Sequence, residues 1–328
     1  MQILVVTNII NTPESSLPPA LTAEIAAESS RIVAPEYATL TREINSKFKD
    51  AVDGIILYGS CLRSNEFDNK VIDLYIIVDN YQHAYREKYL SLLNRFLPPN
   101  VFYLEVTHED KVIRAKYSVI STADFENGVL SWFHSYLWAR FAQPSRILFA
   151  RDESCRTRLN NIIANSVLHF LRVTIPLLGQ CTVDAEKIWI NALSYAYTAE
   201  LRPERENRAK QLTYLNMGDY TRLTAYAAPA LPDLIMPQTR GYYRCLAEAG
   251  ARRRALRQWH LRRWQGRILS VLRLIKATFT FRDCIDYAAW KIQRHTGFSI
   301  QVTPAMQRHP VLKGSTLLWH LVRRGILR

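Results

Sequence analysis

Gly59-Ser60 closes the apolar run Gly54-Ile55-Ile56-Leu57-Tyr58, and thirteen residues beyond Ser60 an aspartate, Asp73, stands near the start of a second apolar run, Val71 to Val78. These residue types at this spacing suit phosphate chemistry. A short Gly-Ser turn leaves backbone N–H groups and a hydroxyl free to hold phosphate oxygens, because glycine lets the chain approach closely and adopt unusual dihedrals. A strand-borne carboxylate facing that turn can hold the Mg²⁺ that in-line phosphoryl or nucleotidyl transfer uses. The plainer alternative is a hairpin turn beside a solvated aspartate. Residue types alone leave both open.

The elements that must position these groups are legible along the chain. Residues 54–58 and 71–78 are too apolar and β-branched for surface segments and read as strands. A helix is expected over 81–96, closed by Pro98-Pro99, followed by strands at 101–107 and 116–121. An aromatic-rich helix follows over 125–141, ended near Pro144, and a last strand over 146–150. Ahead of all these, 21–48 has helical spacing broken by Pro35. Strands and helices alternate as in an α/β layer structure. After Arg151 the pattern turns helical, with segments at 158–178, 185–201, 220–228, 241–255, 256–280 and 286–294. The expected division is 1–150, an α/β domain; 151–309, a helical domain; and 310–328, a basic amphipathic helix.

Composition limits the partners. The chain has 328 residues, enough for two domains with their own cores. Its formal charge of +14 is unevenly placed, with Arg252-Arg253-Arg254, Arg257, Arg262-Arg263, Arg267, Arg273 and Lys276 crowding one stretch. Such a surplus points to an anionic partner: nucleic acid, nucleotide phosphates or an acidic membrane. The stretch lacks the interleaved aromatic platform of single-strand binders, and its second half, 268–276, is apolar enough to be buried on one face. Nucleic acid is therefore the less expected partner. Five scattered cysteines support neither a disulfide framework nor a zinc site. The most apolar stretch, 159–183, contains Arg172 and Pro176, so no membrane span is expected.

Further candidates each carry an alternative. Asp79 lies six residues after Asp73, about 20 Å away on a straight strand at ~3.3 Å per residue, too far to share a metal without a sharp turn. Where polymerase-β-like nucleotidyltransferases carry a second metal ligand, two residues after the first, Tyr75 stands here, a poor Mg²⁺ ligand. Glu105, an acid inside an apolar run, is the natural replacement, or else a surface acid on an edge strand. Lys116, opening its strand, is a snorkelling edge residue or a phosphate contact. Glu200, Arg202 and Lys210 form a charged patch or an exposed helix end, and Arg140 reads as a solvated cation. The segment Leu317 to Arg324 has apolar residues at helical spacing with Trp319, Arg323 and Arg324 at the border. That suits an interfacial helix on anionic lipid, or equally a terminal helix docked on its own domain.

Taken together, several of these residues resemble the mitochondrial-type phosphatidate cytidylyltransferases, the translocator assembly and maintenance family, which includes bacterial members. The match rests on Tyr58-Gly59-Ser60, on Ile72-Asp73-Leu74 running to Val78-Asp79, and on the ungapped block from Lys116-Tyr117-Ser118 through Trp132, Tyr136, Arg140 and Pro144. Weaker similarity extends it over most of 55–294. Cys61, Asn80, Glu105 and Glu200 depart from the family pattern, the last two as acids where Asn and Asp are usual. The resemblance implies a polymerase-β-like nucleotidyltransferase α/β domain followed by a mainly α-helical, winged-helix-like domain. It implies transfer of CMP from CTP to phosphatidic acid with Mg²⁺, at the cytoplasmic face of a bacterial inner membrane or the matrix side of the mitochondrial one. Gly59, Ser60 and Tyr117 would contact nucleotide, and Asp73, with Glu105 and less securely Asp79, would hold metal. Lys116, Arg202 and Lys210 would neutralise phosphate. Other expectations remain: a nucleotidyltransferase acting on RNA, or a degenerate fold serving as a membrane-bound scaffold.

Overall fold

The computed structural model describes residues 17–63, 71–109, 111–199, 206–280 and residue 303. Five strands form one mixed sheet: β1 (Val52–Tyr58), β2 (Val71–Val78), β3 (Asn100–His108), β4 (Lys111–Ser121) and β5 (Ser145–Ala150), in the order β3-β4-β2-β1-β5. β2 runs antiparallel to β1 and parallel to β4. Register aligns one row across four strands: Tyr58 opposite Asp73, Asp73 opposite Lys116, and Lys116 opposite Tyr103. Directly paired residues share a face, so this row presents its side chains to one side of the sheet.

The period-2 alternation of each strand feeds two cores. Ile56, Tyr75, Ile77 and Ile120 pack on one face under α1 (Pro19–Ser29), α5 (Thr122–Leu130), α6 (Trp138–Phe141) and α7 (Glu153–Thr174). Ile55, Leu74, Ile76, Tyr117 and Val119 pack on the reverse face with α2 (Glu36–Phe48), α3 (Tyr81–Ala84) and α4 (Lys88–Phe96). The expected single helix over 81–96 is thus two, because Tyr85, Arg86 and Glu87 interrupt it before α4. The helix expected over 125–141 is also broken. Residues 131–137 fold back on α5, the Trp138 indole donates to the Trp132 carbonyl at 3.0 Å, and the space a Cβ would fill at Gly128 is occupied by Leu137 and Trp132.

The change to helices falls near 150, as expected, but the core does not stop there. α7 is long and apolar, and its residues Leu159, Ile163, Val167 and Phe170 belong to the same buried cluster as the sheet. The end of the Leu159 side chain lies where a Cβ on Gly54 would go, at 2.4 Å, so the glycine lets the helix pack closely on β1. Beyond it come β6 (Cys181–Asp184), α8 (Ala185–Ala199), α9 (Glu206–Leu215), α10 (Met217–Ala227), β7 (Ile235–Pro237), β8 (Tyr242–Cys245) and α11 (Ala249–Thr280). The strands form a second sheet ordered β6-β8-β7. A helix, a strand, further helices and a closing hairpin that pairs with the first strand make a winged-helix-like arrangement. The fold class expected from the sequence, an α/β layer followed by a mainly helical winged-helix-like part, is the one observed. The small sheet itself is new: 241–255 reads as helix in sequence, but Tyr242–Cys245 pair with Cys181–Asp184 and Ile235–Pro237.

α11 also departs from expectation. Its second half was expected to bury an apolar face, yet Ile268, Val271, Leu272, Leu274 and Ile275 are all exposed. The buried side chain there is Lys276, whose ammonium donates to the Leu97 and Pro99 carbonyls, while Arg273 donates to Pro98. The physical reason is that this helix lies against a bare backbone segment with carbonyls to satisfy, which needs donors and not methyl groups.

Candidate phosphate-binding cleft

Gly59 ends β1 with φ +88°, a conformation side chains rarely adopt, and so turns the chain across the end of β2. A Cβ there would sit 3.1 Å from Asp73 Oδ2, so glycine keeps the turn and the carboxylate in direct apposition. Asp73 accepts an ion pair from Lys116 Nζ at 2.9 Å, across the parallel β2–β4 pair. Both side chains remain about a third exposed, Lys116 at 36% and Asp73 at 27%, so an incoming phosphate can reach them.

Tyr58, Gly59, Ser60 and Asp73 form one wall of a cleft of about 190 Å³. Arg140, Gln143 and Pro144 form a second wall, and Tyr197, Arg208 and Leu212 of the helical part the third. The Arg140 guanidinium lies 4.3 Å from the Tyr136 ring centre and 5.5 Å from that of Tyr58, and it donates to the Tyr75 hydroxyl at 3.0 Å. Aromatic stacking of this kind fixes a planar cation with little loss of charge. Burial and the neighbouring Asp73 charge push the Tyr58 phenol above its ordinary range, and burial does the same to Tyr75. Both stay protonated hydrogen-bonding groups. The Tyr197 hydroxyl donates to Gln143 at 3.2 Å, tying the helical part to the sheet's rim.

The structure brings together Gly59, Ser60, Asp73 and Lys116, and separates the remaining expected residues. Glu105 is not beside Asp73. Its row pairs it with Arg114, two strands over and two residues along, which places the Cα atoms roughly 12 Å apart at ~4.8 Å per strand and ~3.3 Å per residue. Its carboxylate binds Arg114 at 3.0 Å and accepts from the Tyr103 hydroxyl at 2.7 Å. Asp79 sits past the far end of β2, bound to His83 at 2.8 Å. Tyr117 faces the reverse side of the sheet, because it follows Lys116 on a pleated strand. Lys210 is exposed and does not line the cleft. Arg202, Trp319, Arg323 and Arg324 lie outside the described residues.

Arg208, Tyr197 and Gln143 are the cleft residues that sequence reasoning missed, and Arg140 was read there as a solvated cation. Arg208 had a usable signal. It stands one helical turn before Leu212, which is buried, so the two share the inward stripe of α9 while Lys210 turns away. Among the described residues no three His, Cys, Asp or Glu side chains gather at metal-binding distances. The donor set still suits Mg²⁺, which is commonly held by one or two carboxylates together with substrate phosphates and water. Among the described cleft residues Asp73 supplies the one carboxylate.

No family model matches the chain, and no curated protein matches it. Among solved structures it is similar to a nucleotidyltransferase-like protein from Exiguobacterium sibiricum 255-15, with 12% identity over 90% of this chain and 93% of that one and a TM-score of 0.26. So distant a likeness assigns no function, and the chemistry rests on the cleft.

Proposed function

We propose that this chain is a nucleotidyltransferase that transfers CMP from CTP to phosphatidic acid at an anionic membrane surface, releasing pyrophosphate. The observation that carries the nucleotidyl-transfer reading is the apposition of the positive-φ Gly59 turn to an Asp73–Lys116 pair at the mouth of an open cleft. The choice of CTP and phosphatidic acid is supported by the resemblance of the 58–79 and 116–144 segments.

In this reading Gly59 and Ser60 hold triphosphate oxygens at the turn. A Mg²⁺ held by Asp73 would neutralise phosphate charge when bound. Arg140 and Arg208 bring cations to two walls of the cleft and Lys116 stands behind Asp73 as its ion-pair partner, so the pentavalent arrangement around the α-phosphorus is stabilised by groups already in place. An oxygen of the lipid phosphate forms the new bond to the α-phosphorus as the α–β bridging bond breaks, and the electrons leave with pyrophosphate. That oxygen is ionised near neutral pH, so no general base is needed, and the catalytic contribution is positioning.

A second reading has its own observation. Tyr75 occupies the place of a second acid, fully buried, with its hydroxyl held by Arg140. With Asp73 the one carboxylate among the described cleft residues, the arrangement suits nucleotide binding without transfer.

The test is purified protein with α-labelled CTP, Mg²⁺ and either phosphatidic acid liposomes or RNA. Label in lipid, abolished by Asp73→Asn with the thermal melt unchanged, is the expected result. Label in RNA alone would overturn the lipid assignment. CTP binding by calorimetry with no labelled product would favour the binding-only reading.

A further inference from the structure

β4 carries two neighbours to opposite sides of the sheet: Lys116 to the side of Asp73 and Tyr117 to the reverse face. Tyr117 there lines a second cavity of about 480 Å³, more than twice the cleft's 190 Å³. Phe102 and Tyr117 are stacked on its wall, with ring centres 5.4 Å apart and planes 23° apart. Lys47 reaches over them. Its ammonium donates to the Tyr117 hydroxyl at 2.6 Å and lies 5.3 Å and 5.8 Å from the Tyr117 and Phe102 ring centres.

The rim is basic. Lys47, Lys49 and Arg86 line the cavity against one acid, Glu87, among the described lining residues. Lys49 and Arg86 form no ion pair among the described residues. Lys49 adopts φ +51° at the end of α2, a position where glycine is usual, so the chain holds a lysine there against its backbone preference. Deeper in, the Tyr85 hydroxyl is buried beside the Asn100 side chain. Cavities left by imperfect packing are apolar and dry. This one gathers cations and a buried polar group around a flat aromatic wall.

We propose that the reverse-face cavity binds a phosphate ester carrying a planar or apolar body, at a site separate from the cleft. Lys47, Lys49 and Arg86 would hold the phosphate charge, and the half-buried Phe102 ring, backed by the fully buried Tyr117, would take the body. A nucleoside monophosphate and a short-chain lipid phosphate both offer this chemistry. The sheet stands between this cavity and Asp73, so its ligand is not the group that reacts in the cleft.

The test is calorimetric titration of the full chain carrying Lys116→Met, which disables the cleft, with three probes: inorganic phosphate, CMP, and dihexanoyl phosphatidic acid below its micelle concentration. At least one ester is expected to bind saturably and more tightly than inorganic phosphate. Adding Lys47→Ala and Arg86→Ala, both at exposed positions, should weaken that binding at least 10-fold while the thermal melt stays in place. Preference for CMP identifies a nucleotide ligand, and preference for the lipid probe identifies a headgroup ligand. Absence of saturable binding by either ester, or binding unchanged by the two alanines, overturns the proposal. Turnover of labelled CTP by the chain with an intact cleft reports separately on the cleft.

Discussion

Lys116 at the cleft and Lys276 on α11 are both lysines on regular elements, and each has partners within hydrogen-bonding distance. Lys116 is 36% exposed and meets a carboxylate, whereas Lys276 is 6% exposed and meets backbone carbonyls. The same contrast separates Arg208, which lines the cleft, from Arg262, which is 1% exposed, donates to the Phe133 carbonyl at 2.9 Å and lies 4.4 Å from the Phe133 ring centre. In the cleft the cations keep their charge available to a ligand. Along α11 the buried ones act as long donors that satisfy a neighbouring backbone and fill space with their stems. A basic stretch is therefore not one surface: part of the charge concentrated in 252–276 is spent inside the molecule.

The largest effect should come from breaking the cleft's side of the contrast. Lys116→Met removes the charge opposite Asp73 and keeps the length of the side chain. Loss of a cation positioned on a transferring phosphate costs on the order of 10²–10³ in rate. Turnover of labelled CTP is expected to fall by that factor, with the denaturation midpoint nearly unchanged because the pair is partly solvated. A melt that shifts as much as the rate falls would make Lys116 a structural residue like those of α11.

Arg262 should behave in the opposite way. Arg262→Ala strips the Phe133 carbonyl of its donor and empties space between Phe133, Trp138 and Trp259. A loss of about 2–4 kcal/mol in chemical denaturation is expected. Arg262→Met, which keeps the stem and removes a charge that is costly to bury, should lose markedly less. Burial pushes the Arg262 guanidinium down to about 10, in line with that cost. Equal losses from Ala and Met would assign the stabilisation to the charge and not to the packing.

Lys276 adds a pH dependence of stability. Burial, with the Arg273 charge beside it, pushes Lys276 down to about 7 from an ordinary 10.5. Between those values the unfolded chain binds the proton more tightly than the folded one, so stability contributed by this group rises with pH from about 7 toward 10. The rise between pH 7 and 9 should be about 1–2 kcal/mol, and Lys276→Met should flatten it. A slope that persists in the variant would place the titrating group elsewhere.

The sequence carried the cleft better than it carried α11, for a reason that lies in period and chirality. The 54–58 and 71–78 runs declare strands, and Gly59 is needed for a φ of +88°, so the turn and Asp73 could be placed from residue types. Lys116 and Tyr117 were both assigned to the nucleotide, but a strand sends neighbours to opposite faces, and only the register of β4 against β2 decides which one meets Asp73. On α11 the helix itself was legible. Which face is wet was not, because the inner surface is set by carbonyls at 97–99, about 175 residues earlier in the chain, which no local pattern reports. The small sheet escaped for a related cause: Tyr242–Cys245 is a strand through its pairing with Cys181–Asp184. Arg208 needed the inward stripe of α9 to be told apart from Lys210.

Glu105 gives the smallest expected effect and a direct check on the geometry of the contrast. An acid in an apolar run reads as a buried ligand when the strand is taken alone. On the edge of the sheet it is half exposed, and its charge already answers Arg114. Glu105→Gln keeps the acceptor for Tyr103 and removes only the charge. Exposed ion pairs contribute about 0–1 kcal/mol, so stability should change by no more than about 1 kcal/mol and CTP turnover should stay within about threefold of the parent value. The Mg²⁺ concentration giving half-maximal turnover is the sharper readout, since a metal ligand would raise it about tenfold or more when neutralised. An unchanged Mg²⁺ requirement leaves Asp73 as the cleft's carboxylate. A requirement raised tenfold would mean that β3 bends its edge toward the cleft when nucleotide binds, which would bring two regions that are separate in the free chain into one site.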